Sequence, residues 1–350
     1  MMSGLLIALA AAVASLQPPS PAPAHSTAAK PSVSGASIPG SASYLREADY
    51  RVARIGYRIG LSGARYCPDP YPLTGLLLHH LAEYGAADRP AAAELYGLHR
   101  GLGVLAVIEK SPAARAGLVA GDVLIAVNGR PFPSPVAIAR DRDNEEARPA
   151  IEATEAQLEA ELRKGPAGLT LLRGSREISV RLEPVAGCPA RVRLARSRQV
   201  NAFANRGYAI MTTALLDFLR DDDELAIVLG HEIAHTIYKH PAELEAQGVP
   251  SEGLLRGFGK NASRVRATEE EADRLGIKLA WPAGYDVSAA IPYWRRYYSQ
   301  YATLPQIFRT HPSLGARERL IREVIASLRE DGSDLGAKRP ELGEGPLRQR

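Results

Sequence analysis

Apolar residues Leu45, Ala48, Val52, Ile55 and Ile59 recur at steps of three and four, a stripe that predicts an amphipathic helix over 43–59. Two further helical stretches are expected at 73–84 and 90–96, the second stopped by Gly97. Beyond residue 100 the period shortens. Brief apolar runs bounded by turn residues predict strands at 104–108 and 122–127, a short helix at 113–116 between them, and a tight turn at Asn128-Gly129. The charged segment 131–149 reads as a surface loop; a helix at 151–164 and a hairpin of strands at 168–173 and 177–182 follow it. Helical periodicity then returns. Asp221, Asp222 and Asp223 offer N-caps to the apolar run ELAIVLGHEIAHTIYKH, which stops at Pro241. The segment ATEEEADRLGIKLAW predicts another helix, broken at Pro282 and Gly284. A last one, after Pro292, carries Tyr293, Trp294, Tyr297, Tyr298 and Tyr301 and reads as core packing and cleft wall.

The 350 residues, 45% hydrophobic and 23% charged, are enough for two folded domains. A formal charge of +4 from 43 basic and 39 acidic residues is too small an excess to argue for nucleic acid, which is excluded as a partner. Arg191, Arg193, Arg196 and Arg198 alternate mostly with apolar residues and are expected on the solvated face of a strand. The apolar run from Leu5 to Val13, with Ala12-Val13-Ala14 as a processing site, makes 1–16 a signal peptide; it is too short to span a bilayer. Residues 17–43, rich in Pro, Ser and Ala, read as a flexible linker, 44–99 as an N-terminal helical region, and 329–350 as a polar tail. The only cysteines, Cys67 and Cys188, form no C-x-x-C pair, and in an oxidising compartment they are expected to join as a disulfide. His79 and His80 have no metal-like spacing to another ligand and are expected on a helix surface.

The chemistry concentrates in HEIAH. On a helix, His231 and His235 project about 40° apart, so both imidazoles can reach one tetrahedral metal, and Glu232 lies beside them as a general base. A charged Glu and two His inside an otherwise apolar helix are costly unless a metal accounts for them. A third protein ligand is needed, and Glu269, Glu270 and Glu271 all compete for that place; Glu269 and Asp273 share one helical face. His240, nine residues from His231, falls near the opposite face of a continuous helix and is read as structural.

Two resemblances organise these residues. The stretch from Gly101 to Phe132, resumed after the insertion, resembles a PDZ domain of the bacterial type over 100–185. Such domains bind peptides by strand addition, which places the carboxylate-binding loop at Gly101, Leu102, Gly103 and Val104. From about Val200 to Ile325, through NAFANRGYAIMTTALL, HEIAH, EEEAD and THPSLGARERL, the chain resembles the gluzincin metallopeptidase family that contains HtpX, BepA and the CAAX prenyl proteases.

The second resemblance implies an α+β architecture: a mainly helical metallopeptidase domain with a small sheet, over 190–328, behind a β-rich PDZ domain. It implies one Zn2+ per chain on His231, His235 and Glu269, with Glu232 as catalytic base and Asp273 supporting a ligating histidine. It assigns His311 to covering the zinc and Arg317 to stabilising the oxyanion. Asn201-Ala202-Phe203 falls where the family has a substrate-binding edge strand, although the Pro-Gly-Gly that follows is replaced by Asn205-Arg206-Gly207. The implied function is a periplasmic zinc endopeptidase of extended or misfolded envelope proteins. Its polypeptide substrates are held through their C-termini at the PDZ domain, with peripheral association with the envelope membrane left open. The competing reading is a non-catalytic or latent PDZ-containing adaptor; a lost ligand or base would mark it, and none is lost.

Overall fold

The computed structural model describes residues 41–140, 142–250, 259–301 and 312–330; the expected signal peptide, nearly all of the linker and polar tail, and His311 lie outside them. Helix α1 (Ser41–Ser62) buries Ala48, Val52, Ile55 and Ile59 in the same core as the HEIAH helix. The apolar stripe of this helix thus finds its partner surface in the second half of the chain.

The chain then leaves that core through strand β1 (Tyr71–Leu73). It returns through β8 (Val185–Gly187), antiparallel to β1, and Cys67 is bonded to Cys188 beside this pair, as the compartment argument expected.

Between the two crossings lies the larger sheet. Leu76–His79 forms β2, where a helix over 73–84 was expected. Three consecutive leucines suit helix and strand alike. Gly75, at φ 75°, opens a strand instead, and pairing with β3 (Leu102–Val107) completes it. His79 and His80, expected on a helix surface, are 6% and 1% exposed; His80 Nδ1 accepts from Ala82 N at 3.1 Å and caps the turn that follows β2.

Helix α2 (Arg89–Tyr96) ends at Gly97, in left-handed backbone as a C-cap. After β3 come α3 (Pro112–Arg115), β4 (Val123–Val127) and β5 (Arg130–Pro131), the last two joined through Asn128 and Gly129, both at positive φ. Segment 131–149, expected as a surface loop, instead contains α4 (Pro135–Ala139) and the first turns of α5 (Asn144–Arg163). Ile138, Ala139 and Ala147 are buried there with Leu81 and Leu98. Ser134 caps α4, and Asp143 with Glu146 forms a capping box on α5. Strands β6 (Ala167–Arg173) and β7 (Arg176–Leu182) finish the sheet in the order β2-β3-β4-β6-β7, with α5 packed on its face through Leu158 and Leu162.

The second core carries a three-stranded sheet in the order β10-β11-β9, from β9 (Val192–Ala195), β10 (Ala202–Asn205) and β11 (Tyr208–Thr212). Arg193 on β9 is mostly buried rather than solvated: with Arg191 it stacks on Tyr208, and it meets Glu155 of α5 at 2.8 Å. Arg196 and Arg198 are exposed. Helices α6 (Thr213–Phe218), α7 (Asp222–Ile237), α8 (His240–Ala246), α9 (Gly259–Ala280), α10 (Ala290–Tyr301) and α11 (Leu314–Glu330) complete the molecule. Among the described residues no helix is long and apolar enough to cross a membrane.

Candidate metal centre

Helix α7 begins at Asp221, whose carboxylate accepts from Glu224 N at 2.9 Å, and every residue from Glu224 to His235 is buried. His231, Glu232 and His235 are 7%, 8% and 9% exposed, a depth at which polar groups need partners. Helix α9 supplies them by crossing α7 at two glycines. A Cβ on Gly230 would lie 2.7 Å from Gly276 O, and one on Gly276 would lie 2.8 Å from His231 N. Only hydrogen fits at that crossing. It brings Glu269 and Asp273, two turns and one turn before Gly276, against the histidines of α7.

The distances have the shape of a coordination site. His231 Nε2 and His235 Nε2 are 3.1 Å apart, and each is 3.5 Å from a carboxylate oxygen of Glu269. A tetrahedral ion with arms of about 2.1 Å needs ligand separations of about 3.4 Å, so this triangle fits zinc. Its charge fits as well. In ionised form Glu269 and Asp273 share one buried guanidinium, Arg317, leaving negative charge for a cation to cancel. Burial opposes a charge on His231, but hydrogen bonds and charges from Asp273 and Glu269 outweigh it and push the imidazole up to about 10. Burial, then the charge of His231, pushes His235 down to about 3. Without a metal, the pair thus concentrates one proton where a cation is wanted.

Asp273 accepts at 3.0 Å from His231 Nδ1, the bond that leaves Nε2 turned to the triangle. Arg317, the residue assigned to the oxyanion, lies against the carboxylates of α9. It is 1% exposed, donates to Asp273 at 2.6 Å and to Glu269 at 3.2 Å, and stacks 3.9 Å over the Trp294 ring. The guanidinium thus ties the two carboxylates of α9 together under the Trp294 ring. Tyr293 and Trp294 are buried beside the centre, whereas Tyr301 at the end of α10 is 40% exposed.

His240 is not on the opposite face of a continuous helix. Helix α7 ends at Ile237, Lys239 takes left-handed backbone, and His240 opens α8 with Pro241 behind it, so the ring returns to His235. The glycine pair and His240 are the parts of the site that spacing did not reveal; the signal for the first was a glycine inside each helical pattern.

Strand β10 is an outer strand of its sheet, packs against α7, and exposes Phe203. Asn205-Arg206-Gly207, in place of Pro-Gly-Gly, makes a tight hairpin to β11 with Arg206 and Gly207 at positive φ. In the larger sheet the expected peptide loop fails as a strand-addition site. Gly101, Leu102, Gly103 and Val104 are all buried, and β3 is internal, with Gly103 paired to His79 on one side and Val123 on the other. Strand addition needs a free edge, and Gly101–Val104 has none.

Fold and site together define a domain of the metallopeptidase class. Residues 176–265 and 255–325 match the model of peptidase family M48, and residues 103–152 that of a PDZ domain: the chain carries an M48 peptidase domain with a PDZ domain ahead of it. It is 31% identical over 166 residues to the mitochondrial metalloendopeptidase OMA1 of Bos taurus, covering 37% of this chain and 32% of that protein. It is 29% identical over 148 residues to a putative beta-barrel assembly-enhancing protease of Vibrio cholerae, covering 33% and 31%. The matches therefore span about a third of the length of these relatives. The HtrA3 PDZ domain bound to a phage-derived ligand aligns at a TM-score of 0.25 and 21% identity, over 34% of this chain and 89% of that one, a likeness too low to bear on the fold.

Proposed function

We propose that this chain is a zinc-dependent endopeptidase that hydrolyses extended or misfolded polypeptides in a bacterial periplasm. The observation that carries the reading is the buried triangle of His231, His235 and Glu269, with Glu232 next to it on the same helix. These three residues would hold the zinc. When bound, zinc supplies the Lewis acidity that makes water nucleophilic near neutral pH. Glu232 takes the proton of the attacking water and delivers it to the leaving amine. Asp273 holds His231, and Arg317 holds Asp273 and Glu269, so the donors do not move as charge develops. The outer edge of β10 offers backbone groups to an extended substrate beside α7.

The substrate class rests on the relatives named for beta-barrel assembly, and the compartment on the signal-like start and the bonded cysteines. The PDZ domain would hold substrate chains at an outer strand of its sheet, β2 being the candidate, in place of the buried Gly101–Val104 segment. Casein is a suitable unfolded test substrate. Wild type should cleave it and lose the activity to a zinc chelator, while Glu232→Gln should be slower by about 10²–10⁴-fold. Equal cleavage by wild type and Glu232→Gln would overturn the assignment.

A further inference from the structure

His240 is 1% exposed and lies between His235 and helix α9. Its Nδ1 is 2.9 Å from His235 Nδ1, and its Nε2 is 3.0 Å from Glu271 Oε2, whose side chain is 59% exposed. This chain of contacts determines where the protons sit. If His235 Nε2 is the donor that faces His231 and Glu269, the ring proton of His235 must be on Nδ1. Nδ1–H then donates to Nδ1 of His240, which leaves the His240 proton on Nε2, where it is donated to Glu271. Each imidazole nitrogen along the path has one partner, and no proton is left between two donors.

We infer that His240 and Glu271 are positioning residues for the metal centre: His240, itself held by Glu271, fixes His235 in the tautomer that frees Nε2, as Asp273 does for His231. Three placements carry this. The two ligating histidines have their outer nitrogens on different elements, His231 on α9 and His235 on α8. The left-handed turn at Lys239 breaks α7 at the point that lets His240 face back. Glu271 and Asp273 are two residues apart on α9, so one helix anchors both outer partners. A purely space-filling residue would not need a histidine with both nitrogens engaged, and leaving His235 Nδ1 buried without an acceptor would cost what an unmade hydrogen bond costs.

The inference rests on the proposed zinc-binding reading, and the test separates the two. Zinc affinity of the full chain is measured by competition with a chromophoric chelator for wild type, His240→Ala, His240→Asn and Glu271→Ala. Thermal unfolding of the metal-free forms is recorded as the folding control. His240→Ala should bind zinc about 10–100-fold more weakly, the range for loss of a partner that orients a ligand. His240→Asn keeps an acceptor oxygen near the Nδ1 position and should recover most of the affinity. Should His240→Ala fail to fold, Glu271→Ala decides, at an exposed position, with an expected loss of roughly three- to tenfold. Cobalt substituted for zinc should show a changed visible spectrum in His240→Ala and a near wild-type one in His240→Asn. Wild-type affinity in folded His240→Ala, or in Glu271→Ala when His240→Ala does not fold, would overturn the positioning role. So would an equal loss in His240→Ala and His240→Asn. Failure of the wild type to bind zinc would instead overturn the metal reading itself.

Discussion

Arg317 is the residue whose surroundings say most about how the centre is held. It is buried, and it touches Asp273, Glu269 and Trp294 together. Burial alone would favour losing its charge, but Asp273 and Glu269 reverse that and hold its pKa above the usual arginine range. Removing it leaves two carboxylates in a dry pocket, so Arg317→Met should destabilise the metal-free protein by about 3–5 kcal/mol in a denaturant titration. Saturating zinc should recover part of the loss, because the ion supplies the missing positive charge. Asp49 on α1 makes a different case. Burial, then the charge of Glu83, raises it from 3.8 to about 6, with Arg196 opposing. A raised carboxylate favours the fold while it stays protonated. The contribution is full below pH 3.8 and lost as pH climbs to about 6. Asp49→Asn should therefore match wild type at pH 3.5 and exceed it in stability at pH 7 by up to about 3 kcal/mol. Equal stabilities at pH 7 would contradict the assignment.

Two helices and two glycines make the site. Because a Cβ at Gly276 would meet His231 N at 2.8 Å, Gly276→Ala must push α9 away from α7 and carry Glu269 and Asp273 with it. Despite alanine's better helix propensity, we expect a lower unfolding midpoint and a zinc affinity reduced at least tenfold, measured by chelator competition. That His231 and His235 share one face of a helix was legible before any coordinates, because the H-E-x-x-H spacing obeys the geometry of one helix. Asp273 and Glu269 were reached through the family pattern. The helix crossing was not legible, since a glycine in a helical pattern does not say which backbone it touches. His240 was misplaced for a related reason: an angular argument holds only while the helix continues, and Lys239 ends it. The expected helix over 73–84 failed because LLL fits both periods and the deciding partner, β3, is distant in sequence. Segment 131–149 did carry its signals, in Ser134 and in the Asp143–Glu146 capping box, beneath a charged composition that suggested a loop.

At the scale of the molecule, the chain crosses twice between the peptidase core and the PDZ sheet. The crossings run side by side as β1 and β8, with Cys67–Cys188 fastening their bases. The bridge closes a loop of 121 residues that contains the whole larger sheet. Replacing both cysteines by serine should lower stability by about 2–5 kcal/mol, read as a shift in the denaturation midpoint. A second tie runs between the acidic face of α5 and the second sheet, where Glu152, Glu155 and Glu159 meet Arg206, Arg193 and Arg191. Sequence alternation alone placed Arg191 and Arg193 in solvent, because the face that covers them belongs to a helix about forty residues earlier. What the molecule presents, then, is a buried group of His231, His235 and Glu269 braced from two sides, with Glu232 beside it on the same helix.

The zinc content of purified, folded protein tests that account most directly, measured per chain in wild type, Glu232→Gln and Glu269→Ala. We predict one zinc in wild type and in Glu232→Gln, which leaves the donors intact, and loss of the metal in Glu269→Ala. A folded wild-type chain that takes up no zinc, or a Glu269→Ala variant that holds it as tightly as wild type, would contradict it.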